Sequence, residues 1–243
     1  MTTTTAPLQN PHSPGSKAFW DWHHARIAAL DAEQREVMKV AGVEAARRRW
    51  KAIPIELTMP INPKHSGFCI SDEYLQYCRK WDPASGRGIG LVGSPGIGKT
   101  RVLIEILGRL PVYVPWLYLP VWQFCECVAL ANSRNTQEAQ EARHLLQKAR
   151  RVKVLLWDDI GDLRATDACV QEAKAMVDYR VHHRLPLLWT GNPSQSALIS
   201  KYGKDEAMLT QMQAVVRRLT GFSWMPGART EAQPSLSLDT PTN

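Results

Sequence analysis

The sequence predicts an α/β fold, buried strands alternating with helices, on three observations. The stretch Gly93-Ser94-Pro95-Gly96-Ile97-Gly98-Lys99-Thr100 fits the pattern G-x-x-x-x-G-K-[ST]. Ile89-Gly90-Leu91-Val92 reads as a short buried strand entering it, and Arg101 to Leu110 as a helix leaving it, with Val102, Leu103, Ile106 and Leu110 at helical spacing. Further along, Val154-Leu155-Leu156-Trp157 is a continuous apolar run ending in Asp158-Asp159, the pattern of a strand covered on both faces.

Composition bounds the rest. A chain of 243 residues suits one domain with appendages, and an apolar fraction of 44% supports a real core. No apolar run reaches the ~18 residues that a membrane span needs, so no membrane partner is expected. Met1 to Ser16 is rich in Thr, Pro and Ser and lacks the apolar stretch of a signal peptide. The five cysteines, Cys69, Cys78, Cys125, Cys127 and Cys169, show no C-x₂-C spacing. An odd count argues against a disulfide framework and the spacing argues against zinc, leaving idle thiols in a reducing cytoplasm. The net charge of +7 favours polyanionic partners.

In chain order, residues 1–16 read as disordered, with Pro7, Pro11 and Pro14 in quick succession. Residues 17–63 read as a helical region and linker. Ser16 or Asp21 can cap a helix running toward Trp50, with Ile27, Leu30, Gln34, Val37 and Ala41 in a heptad-like stripe. That stripe fits either an arm docking on a partner protein or a helix packed on its own domain. Arg47-Arg48-Arg49 closes the segment, as a solvated face or a nucleic-acid contact. Pro54, Pro60 and Pro63 make 53–67 a linker. A short helix follows over 73–81, then a turn-rich approach to the first strand.

After the loop and its helix, Val112-Tyr113-Val114 and Trp116-Leu117-Tyr118-Leu119 read as strand, interrupted by Pro115. Helices are expected from Val121 to Asn132 and again up to Arg150. The cations Arg143, Lys148, Arg150, Arg151 and Lys153 read as a solvated cluster. A helix from Cys169 to His183 precedes the buried run Leu187-Leu188-Trp189-Thr190, which stops at Gly191-Asn192-Pro193. His182-His183 marks a helix end rather than a metal pair, because adjacent helical residues point in different directions. Ala207 to Leu219 reads as helix, Phe222 to Met225 as an edge strand, and residues 230–243 as a loose tail.

The chemistry follows from residue types. Glycines at 93, 96 and 98 let backbone N–H groups converge on phosphate oxygens, with Ser94, Pro95 and Ile97 between them and the helix dipole behind. Lys99 reaches the β- and γ-phosphates, the Thr100 hydroxyl ligates Mg²⁺, and Arg101 continues the cradle into the helix. Asp158, at a strand end, holds Mg²⁺ through water, and Asp159 polarises the attacking water. Asn192 fits a residue sensing the γ-phosphate, with Thr190 in reserve. Arg217 or Arg218 fits a helix-terminal cation or an arginine finger entering a neighbour's nucleotide.

Taken in order, the loop, Leu-Leu-Trp-Asp-Asp-Ile-Gly, Leu-Leu-Trp-Thr-Gly-Asn and Val-Val-Arg-Arg-Leu-Thr-Gly resemble the AAA+ ATPases. Within them the set is most similar to DnaC-type helicase loaders and the related IstB-type transposition helpers, from about Ser71 to Arg229. The resemblance implies a five-stranded parallel sheet with the phosphate-loop strand central, flanked by helices, over a 64–229 ATPase domain with an N-terminal helical extension. It implies ATP and Mg²⁺ at the strand C-termini, in a site shared between self-associating subunits. By position Asn192 is the sensor, Arg218 the finger, and Arg229 a second arginine near the nucleotide. The implied function is a cytoplasmic ATPase, slow alone and stimulated by assembly or DNA. It would load a hexameric replicative helicase, gripped by the N-terminal region, onto single-stranded DNA. The alternatives are a transposition helper acting on duplex DNA and a nucleotide-binding adaptor. The N-terminal region carries no zinc cysteines of the kind some loaders have, and Pro95-Gly96-Ile97 replaces the commoner Pro-Gly-Thr.

Overall fold

The computed structural model describes residues 32–58, 72–133, 136–191 and 206–225. The expected loose termini, Cys69, Asn192 and Arg229 lie outside them. In chain order the helices and strands are α1 (Ala32–Lys51), α2 (Ile55–Thr58), α3 (Asp72–Lys80), β1 (Gly88–Val92), α4 (Lys99–Arg109), β2 (Trp116–Pro120) and α5 (Val121–Ala131). They continue with α6 (Gln137–Arg151), β3 (Val154–Asp158), α7 (Asp167–His182), β4 (Leu187–Gly191), α8 (Glu206–Phe222) and β5 (Ser223–Trp224).

All strand pairings are parallel, in the order β2-β3-β4-β1-β5. The five strands match the expectation, but the phosphate-loop strand β1 is not the middle one. That place belongs to β4, and β1 lies between it and the two-residue β5. Register aligns Pro120 with Asp158 and Val92 with Gly191, so the strand C-termini share one edge.

Alternation sends successive strand residues to opposite layers. Trp116, Tyr118, Val154, Leu156, Leu188, Ile89 and Leu91 pack with α4 and the end of α1. Leu119, Leu155, Trp157, Leu187 and Trp189 pack with α5, α6, α7 and α8. Both faces are therefore covered, which is why these strands read as continuous apolar runs. Gly90 is part of this packing. The Trp189 ring lies where its side chain would be, 2.4 Å from an added Cβ, and Trp189 Nε1 donates to Ser223 Oγ at 2.9 Å. One indole thus spans β1 and holds β5 at its flank.

Differences from the sequence reading have physical causes. Residues 112–114 form a turn, not a strand, closed by Val114 N–H donating to Pro111 O at 2.8 Å. Prolines at 111 and 115 bracket it and supply no N–H to a ladder. The segment after Lys51 is not all linker: Ile53 is buried, and α2 packs on α4. Lys153, read as solvated, is buried at the start of β3. For α1, packing on its own domain is observed at the C-terminal end. Trp50 meets the Trp116 ring edge-on at 5.1 Å, and Arg49 donates to Val112 O at 2.9 Å.

Candidate nucleotide-binding site

The loop between β1 and α4 takes its shape from two glycines in left-handed backbone, Gly96 (φ 80°) and Gly98 (φ 96°), where a Cβ is disfavoured. Gly98 caps α4 without any side-chain hydrogen bond. Gly98 thus places no side-chain acceptor at the start of the helix, where the helix dipole favours an anion. The Ile97 side chain folds over Gly93, and Gly93 N–H donates to Gly191 O at 3.2 Å, fastening the loop to the end of β4.

Lys99 opens α4 and turns back into the loop. It is buried, and its ammonium donates to Gly93 O and Ser94 O, both at 2.8 Å. Burial pushes its pKa below the ordinary lysine value, while the charges of Asp159 and Asp158 pull it back up.

Asp158 ends β3, is 8% exposed, and has a hydroxyl on each oxygen. Its Oδ1 accepts from Thr100 at 2.8 Å and from Thr190 at 2.6 Å; its Oδ2 accepts from Tyr118 at 3.1 Å. Thr190 also accepts the Asp159 N–H at 2.8 Å. Asp159 itself sits at φ 58°, ψ 60°, left-handed backbone that Asp tolerates better than most residues. Strain of this kind concentrates at functional sites.

The structure thus brings Lys99, Thr100, Asp158 and Asp159 to one sheet edge. Arg101 points its guanidinium at Glu56 O (2.9 Å) on α2. Arg218, on α8, is paired through Nε with Asp178 Oδ1 at 2.5 Å, and Asp178 also accepts from Lys174. Arg217 beside it is exposed. Thr190 is buried and committed to the two aspartates rather than reaching outward. Tyr118 was missed from sequence; the available signal was a hydroxyl on a strand whose other residues are apolar or proline. Among the described residues no cluster of His, Cys, Asp and Glu could hold a metal ion by itself. The donor set nonetheless fits a magnesium–nucleotide pair. A carboxylate and a hydroxyl lie side by side, next to a glycine loop enclosing an ammonium.

No protein-family model matches the sequence. A curated relative, the uncharacterized protein YqaM of Bacillus subtilis (strain 168), is 30% identical over 132 residues, 49% of this chain. The chain spans only 40% of that protein's length. Among solved structures, DnaI superposes with TM-score 0.54 at 21% identity, over 72% of this chain and 93% of that one. A protein described as a candidate primosome component, from Streptococcus pyogenes serotype M3, superposes with TM-score 0.50 at 21% identity, over 72% and 88%. Likeness at this identity establishes the fold alone: a parallel sheet flanked by helices, with the glycine-rich loop at the end of β1. Among the described residues no helix is long and apolar enough to cross a membrane.

Proposed function

We propose, from the premise that this chain carries the AAA+ phosphate-loop fold, that it is an ATPase of DNA replication. Its task is to deliver a hexameric replicative helicase onto single-stranded DNA, with ATP as the assembly switch. The observation carrying the nucleotide reading is the convergence of Lys99, Thr100, Asp158 and Asp159 at the strand C-termini. The loop from Gly93 to Thr100 binds the phosphates through its N–H groups, and Lys99 transfers its ammonium from carbonyl to phosphate oxygens. Thr100 and Asp158 would hold Mg²⁺, which when bound neutralises charge on the β- and γ-oxygens. Asp159, set at the edge by the Thr190 hydrogen bond, polarises the attacking water.

Asn192 completes the proposed site as the γ-phosphate sensor, with Arg229 near the nucleotide and Arg218 as the finger given to a neighbouring subunit. Residues 64–229 form the ATPase unit, with 50–58 packed onto it, and the part of 17–63 that precedes them grips the helicase. The loader assignment rests on the ordered motif resemblance, with the fold agreeing.

Two measurements test this reading. Calorimetry of the full chain with Mg-ATP is expected to show binding that Lys99→Ala abolishes; a folded protein giving no heat overturns the nucleotide site. With the full chain as bait in a lysate of its own source cells, a hexameric helicase should be recovered. A transposase in its place replaces the loader reading with the transposition one.

A further inference from the structure

We propose that Tyr118 is a positioning residue for Asp158, holding the carboxylate with Oδ1 toward Thr100 and the cation side of the site. The proposal rests on the reading above that a magnesium–nucleotide pair binds here.

Tyr118 lies on β2, two residues before the Pro120 that is in register with Asp158. It is 8% exposed and packs in the layer of Trp116, Val154, Leu156 and Leu188. Packing in that apolar layer would be served equally by phenylalanine. A buried hydroxyl there is costly unless partnered, and its partner is Asp158 Oδ2 at 3.1 Å.

The consequence is geometric. The terminal torsion of an aspartate is broad and nearly two-fold, so an untethered carboxylate exchanges its oxygens. Here the two oxygens are distinguished. Thr100 and Thr190 share Oδ1, while Tyr118 takes Oδ2 from the neighbouring strand β2. Removing the phenol hydroxyl leaves Oδ2 without that tether, so only the two threonine hydroxyls on Oδ1 hold the carboxylate and its plane is free to rotate about them.

The test uses the full chain with a fluorescent ATP analogue, titrated once in Mg²⁺ and once in EDTA. Tyr118→Phe is expected to weaken binding in Mg²⁺ about tenfold, the scale of a hydrogen bond to a charged group, and to leave binding in EDTA unchanged. In an Asp158→Asn background the same substitution should add nothing further. Equal losses in Mg²⁺ and EDTA, or additive losses with Asp158→Asn, would make Tyr118 a packing residue and overturn the proposal. If the unsubstituted chain gains no affinity from Mg²⁺, the magnesium–nucleotide reading falls as well. If it does gain and Tyr118→Phe gains equally, only the Tyr118 assignment falls.

Discussion

Lys153 shows how much one side chain's surroundings decide. It is 6% exposed at the opening of β3, where burial pushes its pKa down from 10.5 to about 8. The charge of Asp82 pulls it up, and that of Arg180 adds to the lowering. The folded state therefore binds this proton less tightly than the unfolded chain, so the buried charge costs stability at neutral pH. The cost is fully present below pH about 8 and fades as pH rises toward 10.5. Lys153→Met is accordingly expected to be more stable than the parent at pH 7, with the gap closing by pH 10. Urea unfolding at successive pH values measures this, and a gap independent of pH removes the explanation. Lys153 was not legible in the sequence, where it sits in a run of cations that reads as solvated surface. That Lys99, Thr100, Asp158 and Asp159 meet at one sheet edge was legible, because the loop pattern and the buried strand ending in Asp-Asp are both local features. Tyr118 and Thr190 were read only as strand residue and reserve sensor, since their roles depend on which strands become neighbours.

At the scale of elements, α7 carries the least expected fastening. Arg180 is wholly buried, and its guanidinium donates to backbone carbonyls rather than to a carboxylate. It reaches Ala149 O at 2.8 Å, Val152 O at 2.9 Å, Lys153 O at 3.3 Å and Pro186 O at 2.5 Å. These carbonyls belong to the end of α6 and the approaches to β3 and β4. One cation thus satisfies orphan acceptors of a helix C-terminus and ties two parallel strands to the helix covering them. Arg180→Met keeps the apolar bulk but strands those carbonyls, at about 1–3 kcal/mol for each buried acceptor left unmade. Equilibrium denaturation should show a loss above about 3 kcal/mol. Arg180→Lys should restore little, because an ammonium cannot fan across so many acceptors. A loss below about 1 kcal/mol for Arg180→Met would mean the carbonyls find other donors. The helices and buried strands themselves were legible, since period and apolar runs are local properties. The turn at 112–114 misread as strand because β-prone residues outweighed the prolines on either side. Arg180 carried no signal in the sequence, because burial is not a local property.

For the whole molecule, strand order was the part the sequence could not display. Parallel neighbours are joined through intervening helices, so adjacency depends on crossovers that leave no mark in composition. The result puts β4 in the middle and the ends of β1, β3 and β4 around one site. The proposed reading makes that site half of a larger one, with the remaining arginine arriving from a second copy. Arg218 and Arg217 stand differently for this task. Arg218 is held on its own subunit by Asp178, which fixes where the guanidinium points; Arg217 is exposed and unconstrained by that pair. A finger in trans makes a specific demand on mixtures. Lys99→Ala spoils the cradle but keeps the finger, whereas Arg218→Ala keeps the cradle and lacks the finger. Each alone should lose hydrolysis, the finger variant by roughly 10³–10⁵. Mixed, they should recover part of it, because some interfaces pair an intact cradle with an intact finger. Phosphate release measured across mixing ratios reads this directly, and a maximum near equal proportions is the expected result. If Arg218→Ala hydrolyses normally and Arg217→Ala does not, the Asp178 pair is a structural anchor and the exposed neighbour is the finger. If neither arginine matters, the site is complete within one chain.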